Sequence, residues 1–190
     1  MNLIVAADLK WGIGYQDKLL VSLSEDMKRF KEMTLGQVVL LGRRTLQTFP
    51  GGRPLPGRTN IILTHQAGFT AGDALICHTL AELGDQLSAF AQDSVFVIGG
   101  SSVYRQLLPY CRQAYVTRFD QFFEADAFFP DLDHQAGWRL DRCGPKQTGF
   151  SRIGNTTDPL TYHFCLYRQD NPSSLDSMQI EDCVRSGYDG

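Results

Sequence analysis

The sequence predicts a three-layer α/β domain: a mainly parallel central sheet with a C-terminal antiparallel hairpin and helices on both faces. Three observations predict it. Short runs rich in Val, Ile and Leu recur along the chain, and the early ones are near-continuously apolar, as strands covered on both faces are. Helical patterns alternate with these runs as far as residue 108, which implies right-handed crossovers between parallel neighbours. Beyond that point helices stop while strand-like runs continue around the turn-rich RCGPKQTG, so a hairpin closes the sheet.

Taken in order, strands are expected at LIVAA (3–7), VVLLG (38–42), NIILT (60–64), ALICH (74–78), VFVIGG (95–100), AYVTRF (114–119) and YHFCLY (162–167). Helices are expected over 24–35, 44–49, 80–91 and 102–108. For the first helix, Ser22-x-x-Glu25 fits a capping box, and Ser24 is an alternative N-cap. The last segment, QDNPSSLDSMQIEDCVRSGYDG, is Ser- and acid-rich with little apolar periodicity. It reads as a poorly ordered tail, 169–190, following a folded domain of 1–168.

Composition excludes several classes of function. A chain of 190 residues, 43% of them hydrophobic, suits one domain with a sizeable core. A net charge of -3 provides no global basic field, so no nucleic-acid partner is expected, and an anionic ligand must be met by local Arg or Lys. No leader peptide and no bilayer-length apolar run is visible. The five cysteines (Cys77, Cys111, Cys143, Cys165, Cys183) are odd in number and form no C-x-x-C pair. That argues against a disulfide scaffold and favours a reducing cytoplasm. The four histidines lack ligand-like spacing, and no metal is expected.

Two strand-to-helix junctions are candidate phosphate cradles. VVLLGRRT places Gly42, Arg43, Arg44 and Thr45 where a buried strand turns into a helix, whose free N–H groups attract anions. VFVIGGSSVYRQLL puts Gly99 and Gly100 before Ser101 and Ser102 at the next helix start. Each junction alone also reads as a tight turn with capping residues. Two of them at the carboxyl edge of a parallel sheet suit a ligand with several phosphates, hence a dinucleotide. Neither matches G-x-G-x-x-G or the P-loop.

Further elements carry charge or mobility. GGRPLPGRTN sets Arg53 and Arg58 around a proline-stiffened turn, which is either a solvated loop or an Arg fork for a carboxylate. AADLKWGIGYQDKLL, with Gly12 and Gly14, is either a surface turn or a mobile lid. Asp26 sits in the first turn of the first helix, where the dipole favours a carboxylate. Helical spacing also sets it on a stripe with Phe30 and Met33, beside a core-facing stripe of Leu23, Met27, Phe30 and Thr34. An acid on that boundary is partly desolvated and calls for a donor-rich partner.

Together these segments resemble dihydrofolate reductase over about residues 2–167. The matching pieces are LIVAAD…GIG, EDMKRFKEMT, VVLLGRRT, RPLPGRTNIIL, VFVIGGSSVY, YVTRFD and EADAFFPD, in the family's order. The resemblance implies that family's fold and the NADPH-dependent reduction of 7,8-dihydrofolate to tetrahydrofolate. It implies that Asp26, helped by Thr117, receives the pterin, and that hydride reaches C6 while N5 is protonated through water. Ile4, Val5, Ala6, Met27, Phe30, Phe49 and Ile98 would wall the pterin and nicotinamide, with Tyr104 near the reacting rings. Leu55 would meet the aminobenzoyl ring and Arg58 the glutamate α-carboxylate. Gly42 to Thr45 and Gly99 to Ser102, with Val103, would cradle the cofactor phosphates. Leu63, Thr64, His65 and His78 would lie near the adenosine with Arg43, and Ile13, Gly14 and Leu19 would belong to the lid side. The resemblance further implies a cytoplasmic monomer sensitive to antifolates.

The chain departs from the family's pattern at Leu20-Val21, where Pro-Trp is usual, at Ser24, usually proline, and at Leu46, usually aromatic. The first change removes an indole that would hold water near the acid. Two rival functions remain on sequence grounds. A related reductase of a pterin or riboflavin precursor is disfavoured, because Asp26 with Arg58 suits a glutamate-bearing substrate. A catalytically silent NADPH- or folate-binding protein is favoured only by the missing Pro-Trp.

Overall fold

The computed structural model describes residues 1–153 and 156–178. Asn2–Ala7 (β1), Gly12–Tyr15 (β2), Lys18–Leu19 (β3) and Ser22–Leu23 (β4) lead into the helix Ser24–Thr34 (α1). Val38–Gly42 (β5), the short helix Arg43–Gln47 (α2), Thr59–Leu63 (β6) and Leu75–Cys77 (β7) follow. Then come Leu80–Leu87 (α3), Val95–Gly99 (β8) and Ser101–Leu107 (α4). The remaining strands are Gln113–Phe119 (β9), Ala127–Phe128 (β10), Trp138–Cys143 (β11), Gln147–Ile153 (β12) and Thr156–Gln169 (β13).

The main sheet runs β4-β12-β13-β9-β1-β8-β5-β6-β7, with β11 also paired to β13. From β9 to β7 every neighbouring pair is parallel, whereas β13 runs antiparallel to β9, β11 and β12. The expected parallel core with an antiparallel C-terminal part is therefore present. Alternation along the central strands supplies two apolar faces. Leu3, Val5, Leu40, Ile61 and Val97 point to one, where α3 (Leu80, Leu83, Leu87) and α4 (Val103, Leu107) cover them. Ile4, Val39, Leu41, Ile62, Phe96 and Ile98 point to the other, covered by Leu46 of α2 and by Phe30 and Met33 of α1. Burial on both sides explains the near-continuous apolar runs, each fully buried side chain contributing about 1.5–3 kcal/mol.

Several elements differ from expectation. β2 and β3 form a tight hairpin across Gln16 and Asp17, both with positive φ (49° and 57°), a primed turn without the usual Asn-Gly signature. With β10 they make a separate three-stranded sheet. The helix α3 ends at Leu87 instead of 91, since the chain then turns and packs Phe90 against the core. Neither serine caps α1. Leu23 is the N-cap, with no side-chain cap; Ser22 lies in β4 and Ser24 is already helical. The pairing of Ser22 and Leu23 with Arg152 and Ser151 sets the entry to the helix instead.

The sequence argued against a disulfide scaffold, yet one bridge joins Cys143 to Cys165. The two stand directly opposite in the β11–β13 ladder, a neighbour relation that their spacing along the chain does not reveal. Cys77 and Cys111 are free and buried, and burial pushes their thiols up to about 11 and about 12. Residues 169–178, expected to begin the tail, are part of the packed body. Ser173 N–H donates to the Pro109 carbonyl at 2.8 Å, and Met178 is wholly buried against the α3 side. The rest of the expected tail, 179–190, lies outside the described residues. No helix among the described residues is long and apolar enough to cross a membrane.

Candidate active site

A cleft of about 1020 Å³ opens along the carboxyl ends of β5, β6 and β8, between α1 and the β2–β3 hairpin. That is where ligands bind in open α/β sheets. Its wall contains Ile4, Val5, Ala6, Asp26, Met27, Phe30, Phe49, Leu55, Ile98 and Tyr104, which the sequence reading had assigned to the pterin, nicotinamide and aminobenzoyl rings. Ile13, Gly14 and Leu19 line it from the hairpin. Gly42, Arg43, Arg44 and Thr45 line it from the α2 junction, Leu63, Thr64 and His65 from the end of β6, and Gly99 to Val103 from the α4 junction.

Asp26 reaches the cleft from the first turn of α1. Its Oδ1 accepts a hydrogen bond from Thr117 Oγ1 at 2.6 Å. Thr117 itself is buried behind the cleft on β9, so its role is to orient the acid. Desolvation pushes the Asp26 carboxyl above the usual carboxylate range, while the Thr117 bond and the Arg29 charge pull it back. Tyr104 hydroxyl donates to the Ile4 carbonyl at 2.8 Å. Burial, and then the Asp26 charge, push this phenol far upward, so it stays neutral. The arrangement is one anchored carboxylate facing an apolar slot.

The two glycine-led junctions abut. A β-bulge in the β5–β8 pairing brings Leu41 opposite Gly99. A Cβ on Gly100 would stand 3.1 Å from Thr45 Oγ1. Gly99 has φ +123°, where a side chain is strained, and its Cβ position faces the Tyr104 ring at 3.4 Å. Ser101 Oγ is buried without a hydrogen-bond partner. Among the described residues no ion pair engages Arg43, Arg44 or His65. Free donors and free cations from the two junctions line the same cleft as the carboxylate.

Three expected residues are not in the cleft wall. Thr117 acts through Asp26. His78 follows β7, its Nδ1 bonded to the Thr64 carbonyl at 2.8 Å, so it braces the segment that carries Thr64 and His65 into the cleft. Arg58 lies in an adjoining hollow of about 600 Å³ that shares Leu55 with the cleft. Its Nε and Nη2 both donate to Thr34 Oγ1 at 3.2 Å and its Nη1 donates to the Pro56 carbonyl at 2.8 Å. One N–H on each terminal nitrogen remains, the geometry of a carboxylate fork.

Sequence reasoning missed the groups that hold these residues. Asn60 bonds both the N–H and the carbonyl of Leu55 at 2.9 Å, fixing the RPLPGR loop. Thr34, read only as part of the apolar stripe, holds Arg58. Asp126 to Phe128 line the cleft beside the hairpin; Asp126 N–H donates to the Gly14 carbonyl and its Oδ2 accepts from Gln16 N–H at 2.9 Å. Nothing in local spacing signals these contacts, although EADAFFPD was among the resembling motifs.

Comparison with known proteins agrees with this geometry. The family model described as dihydrofolate reductase matches residues 1–167. A dihydrofolate reductase of Staphylococcus haemolyticus is 34% identical, over 89% of this chain and 95% of its own length. That of Bacillus subtilis is 31% identical, over 91% and 96%. Among solved structures, dihydrofolate reductase from Enterococcus faecalis complexed with NADP(H) and RAB-propyl superposes with a TM-score of 0.73 at 32% identity, covering 90% of this chain and 96% of that one.

Proposed function

The chain belongs to the dihydrofolate reductase family and catalyses the NADPH-dependent reduction of 7,8-dihydrofolate to 5,6,7,8-tetrahydrofolate, and we propose that its chemistry turns on Asp26. The observation that carries this reading is the partly buried Asp26 carboxylate, held by Thr117 at the apolar end of the cleft. It receives the pterin's 2-amino group and adjacent ring N–H as a bidentate pair. Its negative charge favours a proton at N5, which water delivers. NADPH supplies the hydride, which passes from nicotinamide C4 to pterin C6. Ile4, Val5, Ala6, Met27, Phe30, Phe49 and Ile98 hold the two rings together and exclude bulk water.

The opposite end fits the cofactor. The buried, unpartnered Ser101 hydroxyl and the contact that any side chain on Gly100 would make with Thr45 are what a close-fitting pyrophosphate site requires. Gly42 to Thr45 and Gly99 to Val103 bind the phosphates, and Arg43, Thr64 and His65 take the 2′-phosphate. Arg58 clamps the substrate's α-carboxylate with its two remaining N–H groups, and Leu55 meets the aminobenzoyl ring. The β2–β3 hairpin closes over the nicotinamide. Residues 1–168 form the catalytic unit. We further propose a cytoplasmic monomer whose cleft also takes antifolates, since they present the same donors to Asp26. The deciding experiment follows NADPH oxidation with and without dihydrofolate for wild type and Asp26→Asn. Wild type turns over only with dihydrofolate and the variant is severely slowed; equal rates would reduce Asp26 to a helix-end charge.

A further inference from the structure

Arg29 follows Asp26 by three residues on α1 but does not line the cleft. Its half-buried guanidinium lies over the Phe164 ring, Cζ 4.2 Å from the centroid, with the Tyr115 ring at 5.9 Å. Among the described residues no hydrogen bond or ion pair engages it. Phe164 stands opposite Thr117 in the β9–β13 ladder. The ring beneath the cation and the hydroxyl on the carboxylate therefore come from one cross-strand pair, and a rigid sheet sets both positions.

This is an unusual place for a charge without an ionic partner, because burial disfavours the charged form of both groups. Each offsets part of the other's cost. A direct Arg–Asp ion pair would occupy the carboxylate lone pairs that the pterin needs. A cation seated on aromatic faces supplies its charge and leaves those lone pairs free.

We propose that Arg29 is a positioning residue for the reaction: stacked on Phe164, it presents an uncommitted positive charge that keeps Asp26 anionic and open to the pterin. The role rests on the reading of Asp26 as pterin anchor. The other groups that face Asp26 do not provide such a charge. Glu25 on α1 is an exposed carboxylate, Thr117 on β9 is neutral, and Tyr115 on β9 lies under Arg29 itself. Tyr104 on α4 and Tyr162 on β13 have phenols pushed upward, so both stay neutral.

The test titrates the Asp26 carboxyl by carbon-13 NMR in the ligand-free protein, beside the pH profile of kcat/KM for dihydrofolate. Variants are Arg29→Met, which keeps length without charge, Arg29→Gln as a polar neutral second, and Arg29→Lys, which keeps charge without the planar fork. Both neutral variants should move the Asp26 titration and the acid limb of kcat/KM to higher pH, with a loss of roughly three- to tenfold in kcat/KM at the acid end. Arg29→Lys should stay near wild type in both. An unmoved Asp26 titration in the neutral variants would overturn the proposal. So would Arg29→Lys behaving like Arg29→Met, since the stacked fork and not the charge would then matter. Wild-type turnover in Asp26→Asn would sink the pterin reading alone, because the ligand-free titration still judges Arg29.

Discussion

Thr117 Oγ1 donates to Asp26 Oδ1 at 2.6 Å, across a sequence separation of 91 residues. The bond joins β9 to the first turn of α1, and it opposes the desolvation that raises the carboxyl. Thr117→Val keeps the shape and removes the donor. It should lower kcat/KM for dihydrofolate by about 10- to 100-fold, as expected for a charge-assisted hydrogen bond of ~1.5–3 kcal/mol. Because the lost bond favoured the anion, the acid limb of the profile should move to higher pH. Steady-state kinetics across pH checks both.

Asp26→Asn should lose activity and gain stability. Burial, outweighing Thr117 and Arg29, raises the carboxyl above its unfolded value, so the native state holds that proton more tightly than the unfolded chain. Stability from this group is then greatest below the unfolded value and declines as pH rises through the folded one. At neutral pH the amide removes a desolvated charge while its Oδ1 still accepts from Thr117. We expect a gain of about 0.5–2 kcal/mol in urea unfolding at neutral pH, fading in acid where wild type is protonated as well. Turnover should fall roughly 10²–10⁴-fold.

The junctions make a separate prediction about the cofactor. Gly100→Ala would set a methyl 3.1 Å from Thr45 Oγ1, pushing that hydroxyl aside by a few tenths of an ångström and narrowing the space between the two junctions. Equilibrium fluorescence titration should show NADPH affinity weakened by about tenfold or more, near 1.4 kcal/mol, with Asp26-dependent ligand binding unchanged. Arg43→Gln should weaken NADPH and leave NADH almost unaffected, because only the former carries the 2′-phosphate.

What the sequence disclosed follows from the range of each interaction. The runs 38–42 and 95–99 were legible because burial on both faces removes polar residues from a strand locally. Gly42 and Gly99–Gly100 were legible because a strand-to-helix turn with close approach leaves a local glycine mark. The pairing of β10 with β2, the grip of Thr34 and Asn60 on the Arg58 loop, and the seat of Arg29 on Phe164 join residues distant in the chain. No local period encodes them. Thr117 as partner of Asp26 came from the family resemblance, and spacing alone would not have found it. The contact of the His78 ring with the Thr64 carbonyl is equally invisible in the strand alternation near 74–78.

Leu20-Val21, where the family usually has Pro-Trp, leads to a last prediction. Val21 is 5% exposed and packs with Leu23, Phe119, Leu160 and Tyr162, against Ala6, Leu20, Phe123 and Phe164. The position is packed by this apolar cluster on one side and lines the cleft on the other. In Val21→Trp the indole crowds these rings wherever it does not enter the cleft, and overpacking of this kind costs about 1–3 kcal/mol. The variant should therefore melt earlier in urea without faster turnover. Phe164 belongs to the same cluster and carries Arg29, so the strain should also disturb the charge behind Asp26 and move the acid limb of kcat/KM. An unchanged urea midpoint with increased turnover would show instead that the cluster yields and that an indole at this position restores a function this chain lacks.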